Sequence, residues 1–442
     1  METEQPPRIL ILGTDRYALE ACVRRGIDAV VVCGASSFDD GLVEVPAPLV
    51  LLRVDEQSSA EAILMALHRA GLGRSRFDGV QTTDEWSLVT ASLLARHLGC
   101  DFVDPDTAVH FRDKSLQKSR VAAAGVRTAA VTVIEDVHDV SGIEELPYPK
   151  AVLKPVAGAA TARTSVVQSV ADLRARSREY REQRTAQRTF VLEEFVAGEE
   201  WIADGIVYDG EVLFCALGRY ADPCLTVVDR QLALSISRFD PDGDEWAYRG
   251  GLPVVRRSLE ALGLRNGVFH MELFHDPETG ELSFSECAAR RGGALIHEEL
   301  QAKFNVNLSD SAVLCALGRR PELEVKHDPR FFGGAFLMGR PGLLVECPTP
   351  AEVAARPGVE FARIERPYGT HFAEGLASTN QKIGQFLVAA DSGAELAQRF
   401  AEVRAWFDER VVIVPGGVNN RALRAWQRRT RPADDFGDTL WS

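Results

Sequence analysis

The chain predicts a mixed α/β and α+β architecture, and three observations carry that expectation. Residues 8–98 alternate short apolar runs with amphipathic stretches, the pattern of a doubly wound parallel sheet. The middle of the chain instead strings strand-like runs together through tight turns, which points to antiparallel pairing. Near residue 280, two more strand-like runs flank a turn marked by Pro277 and Gly280, and each carries one glutamate.

Taken in order, Arg8-Ile-Leu-Ile-Leu-Gly13 reads as a buried strand ending at a tight turn. Only Gly13 stands where G-x-G-x-x-G would be needed, so a dinucleotide site is not expected. A helix over Ala18–Arg25, a strand over Ala29–Cys33, a helix over Ala60–Ala70, a strand at Gly79–Thr83 and a helix near Leu88–Leu98 follow. Asp113–Gly125 reads as a helix with a glycine cap. Beyond Pro147-Tyr-Pro149, a strand at Ala151–Lys154 runs into Pro155 and a loop of small residues, and Arg163–Val167 returns as a strand. A polar helix over Val170–Gln187 leads to the strand Phe190–Val196. Trp201–Val207 and Glu211–Leu217 form a hairpin through Asp209-Gly210, a type I′ signal. A second hairpin, symmetrical about Thr279, places Glu272 opposite Glu286 and Phe274 opposite Phe284. A helix over Ala294–Phe304, an α/β piece over 330–415 and a peripheral tail complete the chain. The expected division is an N-terminal α/β domain (1–112), a helical connection (113–148), a smaller subdomain (149–217), a larger core (218–415) and a tail (416–442).

The length of 442 residues suits two to four domains of roughly 100–200 residues each. A net charge of −14 argues against a nucleic-acid partner, which calls for a basic footprint. No window approaches the ~20 apolar residues that span a bilayer, so no membrane is expected. The polar, acidic start lacks the form of a signal peptide, and eight scattered cysteines form neither a Cys-x-x-Cys pair nor a zinc spacing. Together these features predict a soluble, cytoplasmic protein. Only seven of the 50 basic residues are lysines, at 114, 118, 150, 154, 303, 326 and 382, so each lysine is informative.

Like charges directly opposite on paired strands repel. A divalent cation relieves the repulsion of Glu272 and Glu286, and Mg²⁺ typically takes one or two carboxylates plus substrate phosphates. Two solvated glutamates on an exposed hairpin fit the same residues. Lys154, at the end of a buried strand before Pro-Val-Ala-Gly-Ala-Ala-Thr161, can meet a phosphate beside close-approaching backbone amides. Lys114 sits at a helix start. Glu193 and Glu194 interrupt an apolar strand, which calls either for donor partners or for a solvated edge. Arg290-Arg291-Gly292-Gly293 precedes a helix, a combination that suits phosphate or carboxylate. His270 shares a strand face with Glu272 by the period of two, as a substrate contact or a packed histidine.

In order, Lys114, Lys154-Pro155, Glu193-Glu194-Phe195-Val196, Glu200, Glu272, Glu286 and Arg290-Arg-Gly-Gly resemble the ATP-grasp superfamily from about residue 8 to 415, closest to its carboxylate–amine, L-amino-acid ligase-like branch. The resemblance implies an ATP-grasp fold behind an N-terminal doubly wound parallel-sheet domain. It implies ATP and Mg²⁺ (or Mn²⁺) as cofactors, small carboxylate and amine substrates, and an amide formed through an acyl phosphate with release of ADP and phosphate. Residue by residue it assigns Lys114 and Lys154 to nucleotide phosphates, Glu193, Glu194 and Val196 to adenine, Glu200 to ribose, Glu272 and Glu286 to metal, and Arg290 to the acyl phosphate or reacting carboxylate. Lys154, Glu286 and Arg290 are the expected catalytic groups; Thr161 is the loop contact; His270, Arg219 and Arg291 are substrate candidates. Many members are dimers, so a homodimer is allowed, although the sequence gives no independent sign of one. Two departures stand out. Ala288 occupies the place of a metal-binding asparagine, and the loop Gly158-Ala-Ala-Thr-Ala-Arg-Thr164 is poor in glycine. The alternatives are a different acceptor (a carrier-protein thiol, a formate or bicarbonate pathway, or a peptide) or a non-catalytic nucleotide-binding regulator.

Overall fold

Four parallel strands open the chain: β1 (Arg8–Leu12), β2 (Asp28–Gly34), β3 (Val50–Val54) and β4 (Gly79–Thr82), in the order β3-β2-β1-β4. The computed structural model describes residues 5–34, 45–366, 368–373, 382–414 and 437–438. Beyond Arg8 and Asp28 at their starts, the first two strands carry no polar side chain, and both faces are covered. Leu10, Leu12, Val30 and Val32 enter one core, under α2 (Ala60–Arg69) and α3 (Leu88–Leu98). Ile9, Ile11, Ala29 and Val31 enter the other, under α1 (Arg16–Arg25). Asp15 caps α1 by accepting from the Tyr17 amide, and Gly26 ends it at φ 65°, where the left-handed conformation favours glycine. Two helices, α4 (Pro105–His110) and α5 (Lys114–Ala123), lead onward.

The next sheet is antiparallel, with order β5-β8-β6-β7: β5 (Val131–Ile134), β6 (Ala151–Pro155), β7 (Ser165–Val167) and β8 (Phe190–Glu194). The helix α6 (Val170–Glu182) covers it, burying Leu173 and Tyr180 against Leu153 and Phe190. The expected helical connection over 113–148 therefore contains a strand, β5, which uses its ladder to shield one side of β8. The expected helix over 170–187 stops at Glu182, capped by Gln183.

The central sheet has order β11-β10-β9-β12-β13: β9 (Glu199–Tyr208), β10 (Glu211–Tyr220), β11 (Ile236–Arg238), β12 (Gly267–His275) and β13 (Leu282–Ala288). The turn between β9 and β10 takes φ of 50° at Asp209 and 78° at Gly210, the positive pair of a type I′ turn. Because β9 pairs with β10 on one side and β12 on the other, the division expected at 217/218 cuts through one continuous sheet. Alternation along these strands builds two cores. Trp201, Ala203, Phe269, Met271 and Leu273 face one, lined also by α8 (Glu245–Leu262), which follows α7 (Cys224–Arg230). Ile202, Ile206 and Val268 face the other, with α9 (Ile296–Phe304) and α10 (Leu308–Ala316). α10 also docks the first sheet: a Cβ on Gly79 would lie 2.3 Å from the Ala316 carbonyl oxygen, so only glycine permits this approach.

Beyond it, β14 (Phe331–Met338), β16 (Val359–Ile364) and β18 (Lys382–Ala390) form one antiparallel sheet, and β15 (Gly342–Glu346), β17 (His371–Phe372) and β19 (Val412–Val414) a second. They enclose a core with α11 (Pro350–Ala354) and α12 (Gly393–Asp408). The tail expected over 416–442 lies outside the described residues except for 437–438. Among the described residues, no helix is long and apolar enough to cross a membrane.

One joint between the first sheet and the centre is aromatic. Tyr17 on α1 stacks on His297 of α9 with ring centroids 4.0 Å apart, and its hydroxyl donates to Glu298 at 2.7 Å. Burial, reinforced by the neighbouring Arg291 guanidinium against the pull of Glu298, brings the His297 imidazole down to about 4. An unfolded histidine titrates near 6.5. The neutral ring therefore contributes stability that is present above pH ~6.5 and lost as pH falls towards 4, up to about 3 kcal/mol. His297→Phe should flatten that acid limb of the urea-unfolding free energy, and an unchanged pH profile would count against this account.

Candidate active site

Where the antiparallel sheet meets the central one, β8 turns through Phe195–Gly198 into β9 and leaves a cavity of about 550 Å³. Lys114, Lys154, Thr161, Glu193, Glu194, Val196, Glu200, His270, Glu272, Glu286 and Arg290 all line it. These eleven residues come from widely separated parts of the sequence, and the fold brings them to one place.

Charge inside the cavity is divided. Lys154 Nζ lies 3.0 Å from Glu193 and 3.7 Å from Glu286; Lys114 Nζ lies 3.2 Å from Glu286 and donates to the Gly158 carbonyl at 3.0 Å. A third lysine, Lys118, one helical turn beyond Lys114 on α5, approaches Glu193 at 3.4 Å and donates to the Ser285 carbonyl at 2.7 Å. Three buried ammonium groups thus face two carboxylates. Burial brings Lys118 down to about 8 despite Glu193. For Lys154 burial acts the same way, but Glu193 and Glu286 prevail and hold it above its ordinary value. Burial would raise Glu286; Lys114 and Lys154 hold it well below the usual carboxylate range.

Glu193 does not sit on a sheet edge. β8 is flanked by β5 and β6, so the solvated-edge alternative fails and the buried carboxylate is met by lysines.

Glu272 and Glu286 are direct cross-strand partners, as the hairpin reading requires. The expected pairing of Phe274 with Phe284 is not found. A β-bulge shifts the register between Glu272 and Leu273, so Leu273 opposes Phe284 and Phe274 opposes Ser283. The extra residue is Ser285, and a bulged residue is left out of the ladder. Its carbonyl is the one that receives Lys118. As a result Phe274 lines the cavity, while Phe284 is buried in the core on the other face.

At the carboxylate end, Glu200 accepts the Cys224 amide at 2.7 Å. Burial and the charge of Glu272 push Glu200 above the ordinary carboxylate range. Tyr220 Oη lies 3.5 Å from Glu272. His270 is both packed and cavity-lining: Nδ1 meets Asp204 at 2.8 Å and Nε2 lies 3.7 Å from Glu272. Burial opposes its protonation, yet Asp204 brings the imidazole up to about 9. Behind it, Asp204 contacts Arg238 at 2.9 Å and Arg238 contacts Glu299 at 2.6 Å, all three inaccessible to solvent. Ala288 lies opposite His270 across the ladder. Arg290 is held by Glu85, which also binds Arg112.

Two substrate candidates fall elsewhere. Arg291 turns away from the cavity and grips Asp15 through two contacts of 3.1 Å, tying the β13 end to α1. Arg219, partnered in register with Trp201, is on the far face of the sheet, 3.3 Å from Glu199, because alternate residues of a strand project to opposite sides. Lys118, Glu85, Tyr220 and Asp204 were missed. Lys118 alone carried a sequence signal, its i, i+4 spacing from Lys114 in a lysine-poor chain.

The loop over 158–164 keeps its small residues but not a relaxed backbone. Ala160, Thr161 and Arg163 adopt φ of 53°, 57° and 57°, left-handed values that cost a non-glycine residue about 1–2 kcal/mol each.

Asp204 is the most consequential of the buried groups, since it faces two cations. Asp204→Ala should destabilise the fold by about 3–5 kcal/mol in urea titrations. A loss below about 1 kcal/mol would show that the network is not structurally required.

No protein-family model matches the chain. Over 281 residues it is 27% identical to the L-arginine-specific L-amino acid ligase of Bacillus subtilis, an alignment spanning 62% of this chain and 66% of that protein. The crystal structure of an L-amino acid ligase from Bacillus licheniformis superposes with a TM-score of 0.73 at 19% identity, covering 94% of this chain and all of that one. The biotin carboxylase domain of Hydrogenobacter thermophilus 2-oxoglutarate carboxylase, solved with MgADP and bicarbonate, superposes with a TM-score of 0.67 at 17% identity, covering 95% and 93%. The chain is thus similar in sequence to an L-amino acid ligase and shares its fold with ATP-grasp carboxylate–amine ligases, and the order of the cavity residues along the sequence agrees with that resemblance.

Proposed function

We propose that the chain is an ATP-dependent ligase that joins a carboxylate, an amino acid or small carboxylic acid, to an amine. The observation that carries this reading is the Glu272–Glu286 pair, in direct register and facing Lys114 and Lys154 across one cavity. Lys114 and Lys154 present ammonium groups suited to phosphates, and the donor set of two opposed glutamates suits a divalent cation. Glu272 and Glu286 would hold Mg²⁺ or Mn²⁺, which supplies charge neutralisation to phosphate oxygens when bound.

Around that centre each residue has a distinct task. Lys114 and Lys154 bind nucleotide phosphates, with Lys118 holding Glu193 and the bulged Ser285 carbonyl in place between them. Glu193, Glu194 and Val196 border the adenine, and Glu200, one oxygen taken by the Cys224 amide, turns to the ribose. Thr161 carries the loop that closes over the phosphates and keeps water out. Arg290 steadies the reacting carboxylate, whose oxygen attacks the γ-phosphorus and breaks the bridge to ADP. The lysines and Arg290 stabilise the charge on the transferring group. An amine nitrogen then attacks the acyl carbon, phosphate departs, and the nitrogen gives up a proton. His270, kept cationic by Asp204, offers Nε2 beside Glu272 to a phosphate or substrate oxygen.

A second reading, a nucleotide-binding regulator without turnover, is favoured only by Ala288, which provides no ligand where the family pattern has asparagine. ADP and phosphate release against pooled amino acids, with mass-spectrometric detection of products, separates the two. Release that requires an amino acid supports the ligase; ATP binding without release supports the regulator. Glu286→Gln should abolish turnover and leave the circular dichroism spectrum unchanged, and retained activity would sink the metal assignment. Ala288→Asn should lower the Mg²⁺ concentration for half-maximal activity several-fold, while an unchanged requirement would mean that the position does not reach the metal.

A further inference from the structure

A second cavity, of about 490 Å³, lies on the opposite face of the central sheet. Alternation along β9 and β12 separates the two: Glu200 and Phe274 line the first, Glu199, Trp201 and His275 the second. Its walls are aromatic. His275 stacks on Trp201 at 4.3 Å, and Trp246, at the start of α8, lies 5.4 Å from Trp201 and 5.8 Å from His275. Trp201 and His275 are buried, whereas Trp246 is 51% exposed and so presents its ring at the mouth. Glu199 is organised from three sides: Trp201 Nε1 donates to it at 3.0 Å, His275 Nδ1 meets it at 3.2 Å, and Arg219 at 3.3 Å. Burial would raise its carboxyl, but these contacts hold it below the ordinary value, so it carries charge.

A separate observation comes from α8. Glycine inside a helix costs about 1 kcal/mol relative to alanine, and α8 contains two in succession. Gly251 has a packing reason, because a Cβ there would lie 2.7 Å from Leu217 Cδ1. Gly250 has none: a Cβ would meet only Leu282 Cδ1, at 3.9 Å, and the position lines the cavity. The helix gives up stability at Gly250, and what it gains is open space.

We propose that this cavity binds a small zwitterion of the α-amino-acid class. An ammonium group matches the Glu199 carboxylate and the face of Trp246. A carboxylate matches Arg219, which makes one contact with Glu199 and has further guanidinium donors. The site needs no nucleotide and shares no residue with the first cavity.

The test is equilibrium binding without ATP, by calorimetry and tryptophan fluorescence, using L-alanine, L-leucine, L-phenylalanine and L-arginine as probes. At least one should bind the wild-type chain. Gly250→Leu, which fills the cavity while improving the helix, should weaken that probe about tenfold or more with a melting temperature unchanged or raised. Arg219→Ala should weaken it comparably, and Glu286→Gln should leave it unchanged. Failure of every probe to bind, or equal affinity in the wild type, Gly250→Leu and Arg219→Ala, would overturn the proposal. Because no turnover is measured, either result is independent of the ligase reading.

Discussion

Two carboxylates held face to face at Glu272 and Glu286 are the constraint around which the rest of this structure is arranged. Left alone they would repel across the ladder. The fold offsets this with lysines drawn from two other elements, Lys114 from α5 and Lys154 from β6, within 3.7 Å of Glu286. That requirement positions α5 against β13 and brings the end of β6 over the central sheet. The bulge at Ser285 completes the arrangement. It keeps the glutamates paired, moves Phe284 into the core, and frees a carbonyl for Lys118. Charge balance at one point therefore determines how two sheets and a helix meet.

A second buried network supports the same strands from behind. His270, Asp204, Arg238 and Glu299 form a chain of alternating charge with almost no solvent access. Buried ion pairs of this kind contribute little net stability over apolar packing, because desolvation offsets most of the attraction. Their effect here is geometric, since His270 is fixed to Asp204 with Nε2 directed towards Glu272.

Much of this was legible in the sequence because the signals were local and periodic. Alternation along β12 and β13 gave the glutamate pair, and apolar runs bounded by turns gave β1, β2, β6 and β8. The scarcity of lysine made Lys114 and Lys154 conspicuous. What failed was non-local. One inserted residue moved Phe274 and Phe284 to opposite faces, and nothing around Ser285 announces a bulge. Arg219 was assigned to the wrong side because a strand's facing depends on the sheet it joins. Arg291 was taken by Asp15, 276 residues away. The strand β5 is only four residues long, and it is fixed as a strand by a partner far along the chain: Thr132 pairs with Leu192 on β8, 60 residues later.

The left-handed residues in the 158–164 loop carry a consequence for motion. Ala160, Thr161 and Arg163 together place roughly 3–6 kcal/mol of backbone energy in the loop as it stands. A glycine-rich loop would rest here without strain. Any rearrangement that returns the three residues to ordinary φ recovers that energy. Replacing these residues with glycine would remove the strain and leave the loop with no such energy to release.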